Sequence, residues 1–358
     1  MKLAEPMESY DDQIEAMARI SCRGAVLIGQ ELAVDGHEPY RYRVITHAHA
    51  DHLVDINISI RDSPKILAHP ATFELVEVLG ISVPSDKTIK VNYGDKISLG
   101  RGTLRILRSR HILGSIQVLY TSDHGLSAAY TGDFKDPGRG TEIPESDVII
   151  TEATYGSPDY VRPYKDIVDE LLADFVSEML SRGPLIIKAY YGKQQEVMEI
   201  LRNYGIDAPY IANTRVYRIS KIAEKYGLRI GDIFLEGTRE ASEITRQGWY
   251  IYFTHTTRNT TISSKTHGYR HTIIYLSGWE KKLYRAIDNN TYIFSYSGHS
   301  DFEDLLFYID NAKPRLVIVD AYRGGDKAKK FAKYVEEKLN IRTKYQPQNI
   351  LCKDKLLI

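Results

Sequence analysis

The sequence predicts an α/β fold, and two patterns support this prediction. In the first part of the chain, short apolar strands end in polar residues, among them His52, His111, Asp133 and Glu152. Between about residues 160 and 290, apolar strands alternate with amphipathic helices, which is typical of a parallel sheet with crossover helices. Because sites in layered α/β folds form at the carboxyl ends of strands, these four side chains are expected to converge at one sheet edge.

Length, charge and cysteine content restrict the class of protein. The chain has 358 residues, 43% of them hydrophobic and 26% charged, with a formal net charge of zero. This length is enough for two domains or one two-lobed enzyme, and the neutral charge gives no global signal for binding polyanions. The cysteines are Cys22 and Cys352, which excludes a disulfide framework and indicates a reducing compartment.

No targeting or membrane-spanning segment is recognisable in the sequence. Residues 1–12 lack the apolar core of a signal peptide, and no stretch approaches about 18 consecutive apolar residues. The sequence therefore predicts a protein of the cytoplasm, or of the nucleus in a eukaryote, with no membrane partner.

The most informative stretch is Thr-His-Ala-His-Ala-Asp-His at residues 46–52, which follows an apolar run. Imidazole and carboxylate groups bind zinc and similar divalent ions. Alternate residues of a strand point to one side, so His47 and His49 can face one ion. Asp51 and His52 fall in the following turn and can face a second ion, about 3.5–4 Å away as in two-metal hydrolases. A histidine-rich surface turn is the alternative, but it would not require this spacing.

Asp35 ends an earlier apolar strand, at residues 32–36. An aspartate at such a position either forms a turn or orients a metal-binding histidine through a hydrogen bond. The spacing alone leaves both interpretations open.

Two later residues complete a pattern that resembles the metallo-β-lactamase superfamily in order and spacing. The resemblance covers residues 20–155 and rests on His47, His49, Asp51, His52, His111 and Asp133. It implies an αββα sandwich, in which two β-sheets pack face to face between helices and metal ions bind at the sheet edge. It also implies that His47, His49 and His111 hold one zinc ion.

The same resemblance implies a second ion, which is zinc or alternatively Mn²⁺ or Mg²⁺. Its ligands are Asp51 and His52, and Asp133 bridges the two ions. Asp35 matches an early aspartate of the superfamily that orients a ligand histidine.

Two further motifs narrow the resemblance to the β-CASP branch, the nucleic-acid-processing metallo-β-lactamases. Glu152 lies in Thr-Glu-Ala-Thr-Tyr-Gly, which resembles the first β-CASP motif, and His299 lies in Tyr-Ser-Gly-His-Ser-Asp, which resembles the second. The segment of alternating strands and helices lies where β-CASP proteins insert a cap domain. The implied parts are the N-terminal part of the metallo-β-lactamase domain at residues 1–159, the inserted α/β cap at 160–290 and the C-terminal part at 291–358.

The chain departs from RNA-cleaving members of this branch at the third motif. Those members usually place a histidine after the strand equivalent to residues 316–319, whereas this chain has Asp320 and Ala321. Artemis-like DNA-processing members typically carry a small apolar residue there, which Ala321 matches, so DNA is slightly favoured over RNA. An alternative is that Asp320 is an unusual oxygen ligand of the second ion.

The resemblance implies a zinc-dependent nuclease, an exonuclease or endonuclease of the repair type. It would hydrolyse phosphodiester bonds of single-stranded nucleic acid through attack by a metal-bound hydroxide. An RNA-processing enzyme like RNase J or the cleavage and polyadenylation endonuclease is the alternative, and a small-molecule metallo-hydrolase is a remoter one. The sequence leaves the protein partners open.

Catalytic roles follow from the same resemblance. Asp51 and Asp133 act through the metal ions, whereas His299, paired with Glu152, protonates the leaving oxygen or grips the phosphate. The alternatives are a capping acid for Glu152 and a packing residue at a helix start for His299. Candidate donors to substrate phosphates are Ser115, Ser297 and Ser300.

Overall fold

The computed structural model describes residues 9–256, 265–266 and 269–348 of the chain, which has a mixed α/β architecture. Residues 1–8, most of the segment that argued against a signal peptide, lie outside the described residues, as does Cys352. The chain divides into two compact units. The first unit contains Met1–Glu77, Ile81–Val161 and His299–Ile358, and the second contains Val78–Gly80 and Arg162–Gly298.

Helices and strands are numbered in chain order. The helices are α1 (Tyr10–Met17), α2 (Ile56–Asp62), α3 (Pro70–Val78), α4 (Val168–Leu180), α5 (Lys193–Asn203), α6 (Thr214–Lys225), α7 (Arg239–Gln247), α8 (Phe302–Ala312), α9 (Ala321–Gly324) and α10 (Asp326–Leu339). Among the described residues, no helix combines the length and apolar character needed to cross a membrane.

The strands of the first half are β1 (Ala18–Ile20), β2 (Val26–Ile28), β3 (Leu32–Val34), β4 (Tyr42–Val44), β5 (Lys65–Ala68), β6 (Thr88–Lys90), β7 (Lys96–Leu99), β8 (Gly102–Arg108), β9 (Ile116–Ser122), β10 (Ser127–Tyr130) and β11 (Val148–Thr151). Those of the second half are β12 (Leu185–Lys188), β13 (Tyr210–Ala212), β14 (Ile233–Leu235), β15 (Ile251–Thr254), β16 (Lys265–Thr266), β17 (Tyr269–Arg270), β18 (Thr272–Ser277), β19 (Tyr284–Asp288), β20 (Thr291–Ser295), β21 (Leu316–Asp320) and β22 (Arg342–Gln346).

The first sheet of the first unit has the strand order β1-β2-β3-β4-β5-β6. The pairs β1–β2 and β2–β3 are antiparallel, whereas the pairs β3–β4, β4–β5 and β5–β6 are parallel. β2 and β3 are buried along their whole length. Because strands covered on both faces need continuous apolar runs, these two segments lack the polar alternation of a surface strand.

A second sheet in the first unit, with the order β22-β21-β11-β10-β9-β8-β7, packs against the first sheet. The two sheets share one apolar core, which includes Val44 from the first sheet and Val118 and Ile318 from the second. The other face of the second sheet is covered by α8 and α10, through a core that includes Phe302 and Phe331. The first unit is therefore an α/β sandwich.

Ile318 is fully buried in the core that the two sheets share, so its truncation should leave a cavity. Ile318→Ala is expected to lower the free energy of unfolding by about 2–5 kcal/mol, because a cavity remains after the side chain is removed. The same change at the half-exposed Ile287 is expected to cost less than about 0.5 kcal/mol. Urea denaturation of chelator-treated protein measures both values, and equal destabilisation by the two variants would contradict this account of the core.

The second unit contains its own sheet, with the order β14-β13-β15-β12-β18-β20-β19. Its strands are parallel to their neighbours except for β19, which pairs with β20 in the antiparallel sense. The alternation of α4 to α7 with the parallel strands agrees with the alternation predicted between about residues 160 and 290. A core that includes Ile186, Ile211 and Tyr252 packs within this unit.

Candidate metal centre

Parallel strand pairing brings three polar residues to one edge of the second sheet. β10, β11 and β21 are parallel neighbours, so their carboxyl ends lie side by side. Asp133 follows β10, Glu152 follows β11 directly, and Asp320 is the last residue of β21. The predicted convergence of strand ends is therefore present for Asp133 and Glu152.

The histidine-rich segment follows β4 and is held in place by Asp35. The Oδ1 atom of Asp35 accepts a hydrogen bond of 2.8 Å from the backbone N–H of Thr46, and Oδ2 accepts one of 2.6 Å from the Thr46 hydroxyl. Oδ2 also lies 2.7 Å from Nδ1 of His52. Asp35 has a φ of 54°, a left-handed backbone conformation. Asp35 thus forms a turn and also contacts a predicted ligand, so the two interpretations of this residue are compatible.

One cluster consists of His47, His49, His111 and Asp133, whose potential ligand atoms all lie within 4.8 Å of one another. Nδ1 of His49 is 3.2 Å from Nε2 of His47 and 3.0 Å from Nε2 of His111. Oδ2 of Asp133 is 3.6 Å from His47 Nε2 and 3.7 Å from His111 Nε2. His47, His111 and Asp133 are buried, and His49 is partly buried. Three imidazoles and a carboxylate are a ligand set that suits zinc.

A second cluster consists of Asp51, His52 and Asp133. Nε2 of His52 lies 3.3 Å from Oδ2 of Asp133 and 3.6 Å from Oδ2 of Asp51. This Nε2 atom is buried and has no hydrogen-bond partner among the described residues. A buried polar atom without a partner is costly, and a metal ion bound at this cluster would satisfy it. The residues therefore fit a second ion, with Asp133 common to both clusters.

Glu152 and His299 lie beside Asp133 and form a third cluster with it. Nδ1 of His299 is 3.1 Å from Oε2 of Glu152 and 3.8 Å from Oδ2 of Asp133. The Glu152 carboxylate accepts a hydrogen bond of 2.9 Å from the backbone N–H of Phe134. This bond fixes Glu152 close to the chain that carries Asp133, so the carboxylate can orient His299 towards the metal ligands.

The electrostatics divide the histidines into two protonation types. Burial and the neighbouring histidines hold the pKa of His47 well below its usual value, so this imidazole is neutral and able to bind a metal. Burial also opposes protonation of His52, but the Asp133 and Asp51 carboxylates outweigh it and raise the pKa to about 10. Burial of Asp133 is likewise outweighed, chiefly by His52 and His299, and its pKa lies well below the usual value.

The three serines expected to donate to substrate phosphates differ in burial and in the contacts that they make. The Ser115 hydroxyl is buried and accepts a hydrogen bond of 3.0 Å from Ile112 N–H, so it closes the turn that follows His111. Ser300 is 1% exposed and donates its backbone N–H to Phe134 at 2.6 Å. Ser297 is half-buried and belongs to the second unit.

Asp320 is not a member of any of the three clusters formed by described residues. Its Oδ1 atom caps α9 by accepting hydrogen bonds of 2.9 Å from Tyr322 N–H and 3.2 Å from Arg323 N–H. Its Oδ2 atom accepts a bond of 2.5 Å from Nη1 of Arg323. The interpretation of Asp320 as a metal ligand is therefore wrong, because both carboxylate oxygens are bound to α9.

Sequence reasoning did not identify two of the residues that contact this centre. Thr46 bonds to Asp35, and its hydroxyl also lies 3.0 Å from Nδ1 of His47. Arg323 donates a hydrogen bond to the backbone carbonyl of Asp51 in the histidine-rich segment. A usable signal existed for both, because each residue follows closely on an apolar strand that ends at the site.

Comparisons with known proteins find relatives that carry nucleic-acid-processing names, although no model of a known protein family matches the chain. It is 44% identical over 138 residues, 38% of this chain and 99% of the relative, to an Acidianus ambivalens protein named as uncharacterized in the lig 3′ region. It is 25% identical over 295 residues, 80% of this chain and 27% of the relative, to a probable DNA ligase of Opitutus terrae.

A third relative carries a ribonuclease name. The chain is 34% identical over 102 residues, 26% of this chain and 24% of the relative, to an RNase J-like protein of Methanocaldococcus jannaschii. The chain thus spans only about a quarter of the length of the ligase and of the RNase J-like protein. Further matches are named as a probable RNase and as transcription termination factors, so RNA-related names are the more numerous.

These relatives agree with the geometry. The histidine and aspartate clusters lie at a sheet edge of an α/β sandwich, and Glu152 and His299 meet beside them. The names of the relatives and this geometry are consistent with the resemblance of the chain to the β-CASP branch of the metallo-β-lactamase superfamily.

Proposed function

We propose that the protein is a metal-dependent nuclease that hydrolyses phosphodiester bonds. The observation that carries this proposal is the pair of metal-binding clusters that share Asp133, beside the Glu152–His299 pair. Two adjacent divalent ions suit phosphodiester hydrolysis, because they can stabilise both the attacking and the leaving oxygen of an in-line displacement. The names of the relatives, a DNA ligase and an RNase J-like protein, support nucleic acid as the substrate.

We assign the residues that would hold the ions as follows. His47, His49 and His111 would hold a zinc ion, and Asp51 and His52 would hold a second ion that is zinc, Mn²⁺ or Mg²⁺. Asp133 would contribute to both sites. When bound, these ions would lower the pKa of water towards about 7 and neutralise charge on the phosphoryl oxygens.

His299 is the residue that we propose to move a proton. Its Nδ1 atom faces Glu152, whose negative charge stabilises the protonated imidazole. The other ring nitrogen would then protonate the leaving oxygen of the cleaved strand. Glu152 keeps its orientation through the backbone N–H of Phe134.

The finer architecture belongs to the same proposal. We propose that the first unit is the αββα sandwich of metallo-β-lactamases and that residues 160–290 are an inserted β-CASP cap, with the C-terminal part resuming at about residue 291. The compact second unit, Arg162–Gly298, supports this division because it contains its own mostly parallel sheet. Single-stranded nucleic acid is the proposed substrate form.

His49→Ala tests the proposed activity, because His49 Nδ1 contacts both other histidines of the first cluster. Cleavage of end-labelled oligonucleotides with zinc or manganese should fall on the order of 10³-fold, since the ion that activates water is no longer held. His124→Ala, at an exposed hairpin tip, is the matched control and should cleave at the wild-type rate. Circular dichroism checks that both variants fold. Undiminished cleavage by folded His49→Ala would refute the mechanism.

Two observations bear on the choice between DNA and RNA, and they favour different substrates. Ala321 follows β21 where RNA-cleaving relatives place a histidine, which favours DNA slightly, whereas the more numerous RNA-related names of the relatives favour RNA. We expect single-stranded DNA to be cleaved faster than RNA of the same sequence. Products labelled at the 5′ or 3′ end would also reveal the direction of cleavage. Equal rates, or cleavage of RNA alone, would make the RNA-processing alternative the better one.

A further inference from the structure

Arg323 lies in α9 and is extensively hydrogen-bonded beside the second metal cluster. Its side chain is 7% exposed. It donates hydrogen bonds to four oxygens from four separate positions of the first unit: the Asp320 carboxylate, and the backbone carbonyls of Gly24, Asp35 and Asp51. A guanidinium is suited to this role because it offers several donors in one rigid plane.

One of these acceptors belongs to the second metal cluster, and another contacts a member of it. Nε of Arg323 lies 3.1 Å from the carbonyl oxygen of Asp51, and Nη2 lies 2.7 Å from that of Asp35. Asp51 is itself a member of the cluster, and Asp35 contacts the histidine of the cluster, His52. Arg323 therefore restrains both halves of this cluster through the backbone.

The segment that carries Asp51 needs such a restraint. It is a single 3₁₀ turn, Ala50–His52, and a lone turn of this kind has little stability of its own. The conformation of Asp35 is also unfavourable, with a φ of 54°, and persists only where its surroundings hold it. Arg43 supports the same segment by donating a hydrogen bond of 3.0 Å from Nη2 to the His52 carbonyl.

We propose that Arg323, anchored by Asp320, is a positioning residue that preorganises Asp51 and His52 to bind the second metal ion. This inference rests on the proposed function, because it assumes that the second cluster binds an ion. Residues that orient metal ligands typically change metal affinity by about 10–100-fold when they are replaced. The hydrogen bonds of Arg323 lead directly to Asp51 and, through Asp35, to His52, so the larger effect is expected at the second ion.

Coulomb's law predicts the opposite effect of removing Arg323 on the affinity for the second ion. A positive guanidinium near a cation site repels the cation, so its removal should strengthen metal binding if charge alone mattered. A positioning role predicts weaker binding instead. Arg323→Lys separates the two effects further, because it keeps the charge but loses the planar fork that reaches separate carbonyls.

The experiment titrates zinc into chelator-treated wild type, Arg323→Met and Arg323→Lys, with a chromophoric chelator as competitor, and counts bound ions by mass spectrometry. Wild type should bind two ions. Both variants should keep the first ion with unchanged affinity and bind the second about 10–100-fold more weakly.

Arg202→Met is the matched structural control. Arg202 is also buried and donates to four backbone carbonyls, but these belong to Ile206, Ala208, Ile230 and Asp232 of the second unit. This variant should lose thermal stability and still bind two zinc ions like wild type. A merely structural role for Arg323 would likewise lower stability without separating the two ions.

Each outcome decides a different claim. Wild-type affinity for the second ion in either folded Arg323 variant would overturn the positioning role, and if Arg323→Met does not fold, Arg323→Lys decides alone. Tighter second-ion binding in Arg323→Met would establish the purely Coulombic effect instead. Fewer than two ions in the wild type would refute the two-metal site of the proposed function itself.

Discussion

Asp133→Asn should abolish cleavage and release both metal ions, because one oxygen of this residue serves every cluster at the site. Its Oδ2 atom lies 3.3 Å from His52, 3.6 Å from His47, 3.7 Å from His111 and 3.8 Å from His299. A neutral amide has nearly the same shape as the carboxylate but lacks its charge and binds divalent ions poorly. The cleavage rate should therefore fall on the order of 10³-fold or more.

The control for this variant is Asp123→Asn, the same substitution in an exposed hairpin turn of the same unit. It should retain two ions and wild-type cleavage. Bound metal is counted by mass spectrometry after gel filtration, and cleavage is measured on end-labelled DNA and RNA. If Asp133→Asn still bound two ions as tightly as the wild type, the assignment of Asp133 as a ligand of both ions would fail.

Binding of the second ion should release a proton near neutral pH. In the metal-free protein the pKa of His52 is about 10, raised by Asp133 and Asp51 against the effect of burial, so His52 is protonated at pH 7. An ion that binds Nε2 must displace this proton. Since a raised pKa makes the proton a stronger competitor as pH falls, the apparent affinity should drop about tenfold per pH unit from pH 9 to pH 6.

The first ion differs because the pKa of His47 lies well below its usual value, so this ligand has no proton to lose. Titration calorimetry in two buffers with different ionisation enthalpies measures the protons released by each ion. The second ion should release about one proton through His52, and His52→Gln should eliminate that release. A second-ion binding heat that is independent of the buffer in the wild type would contradict the assigned protonation state.

Much of the candidate centre could be predicted from sequence because its determinants are local. His47, His49, Asp51 and His52 lie within six residues, so the alternation of a strand and one turn are enough to bring them together. Asp133 and Glu152 could be predicted to converge because each follows an apolar strand of a parallel pair. Their meeting with His299, 147 residues after Glu152, was accessible only through the resemblance to β-CASP motifs.

The third motif shows where such reasoning stops. The sequence alone left Asp320 as a possible oxygen ligand, because the identity of a carboxylate does not tell which partner it meets. In the structure, its oxygens bind Arg323 and the first turn of α9, and this interaction places Arg323 against the metal segment. Asp320, which the sequence offered as an alternative metal ligand, instead anchors Arg323, which donates to the backbone carbonyls of Asp51 and Asp35.

From the sequence alone, periodicity and short-range spacing predicted the α/β class and the chemical types of the ligands, and the motifs added the resemblance to a family. Only the tertiary structure decided that Asp133 is common to all three clusters and that Arg323 restrains both Asp51 and Asp35. The physical reason is sequence separation: these contacts join positions 272 and 288 residues apart. They depend on how two sheets pack, and no local pattern specifies that packing.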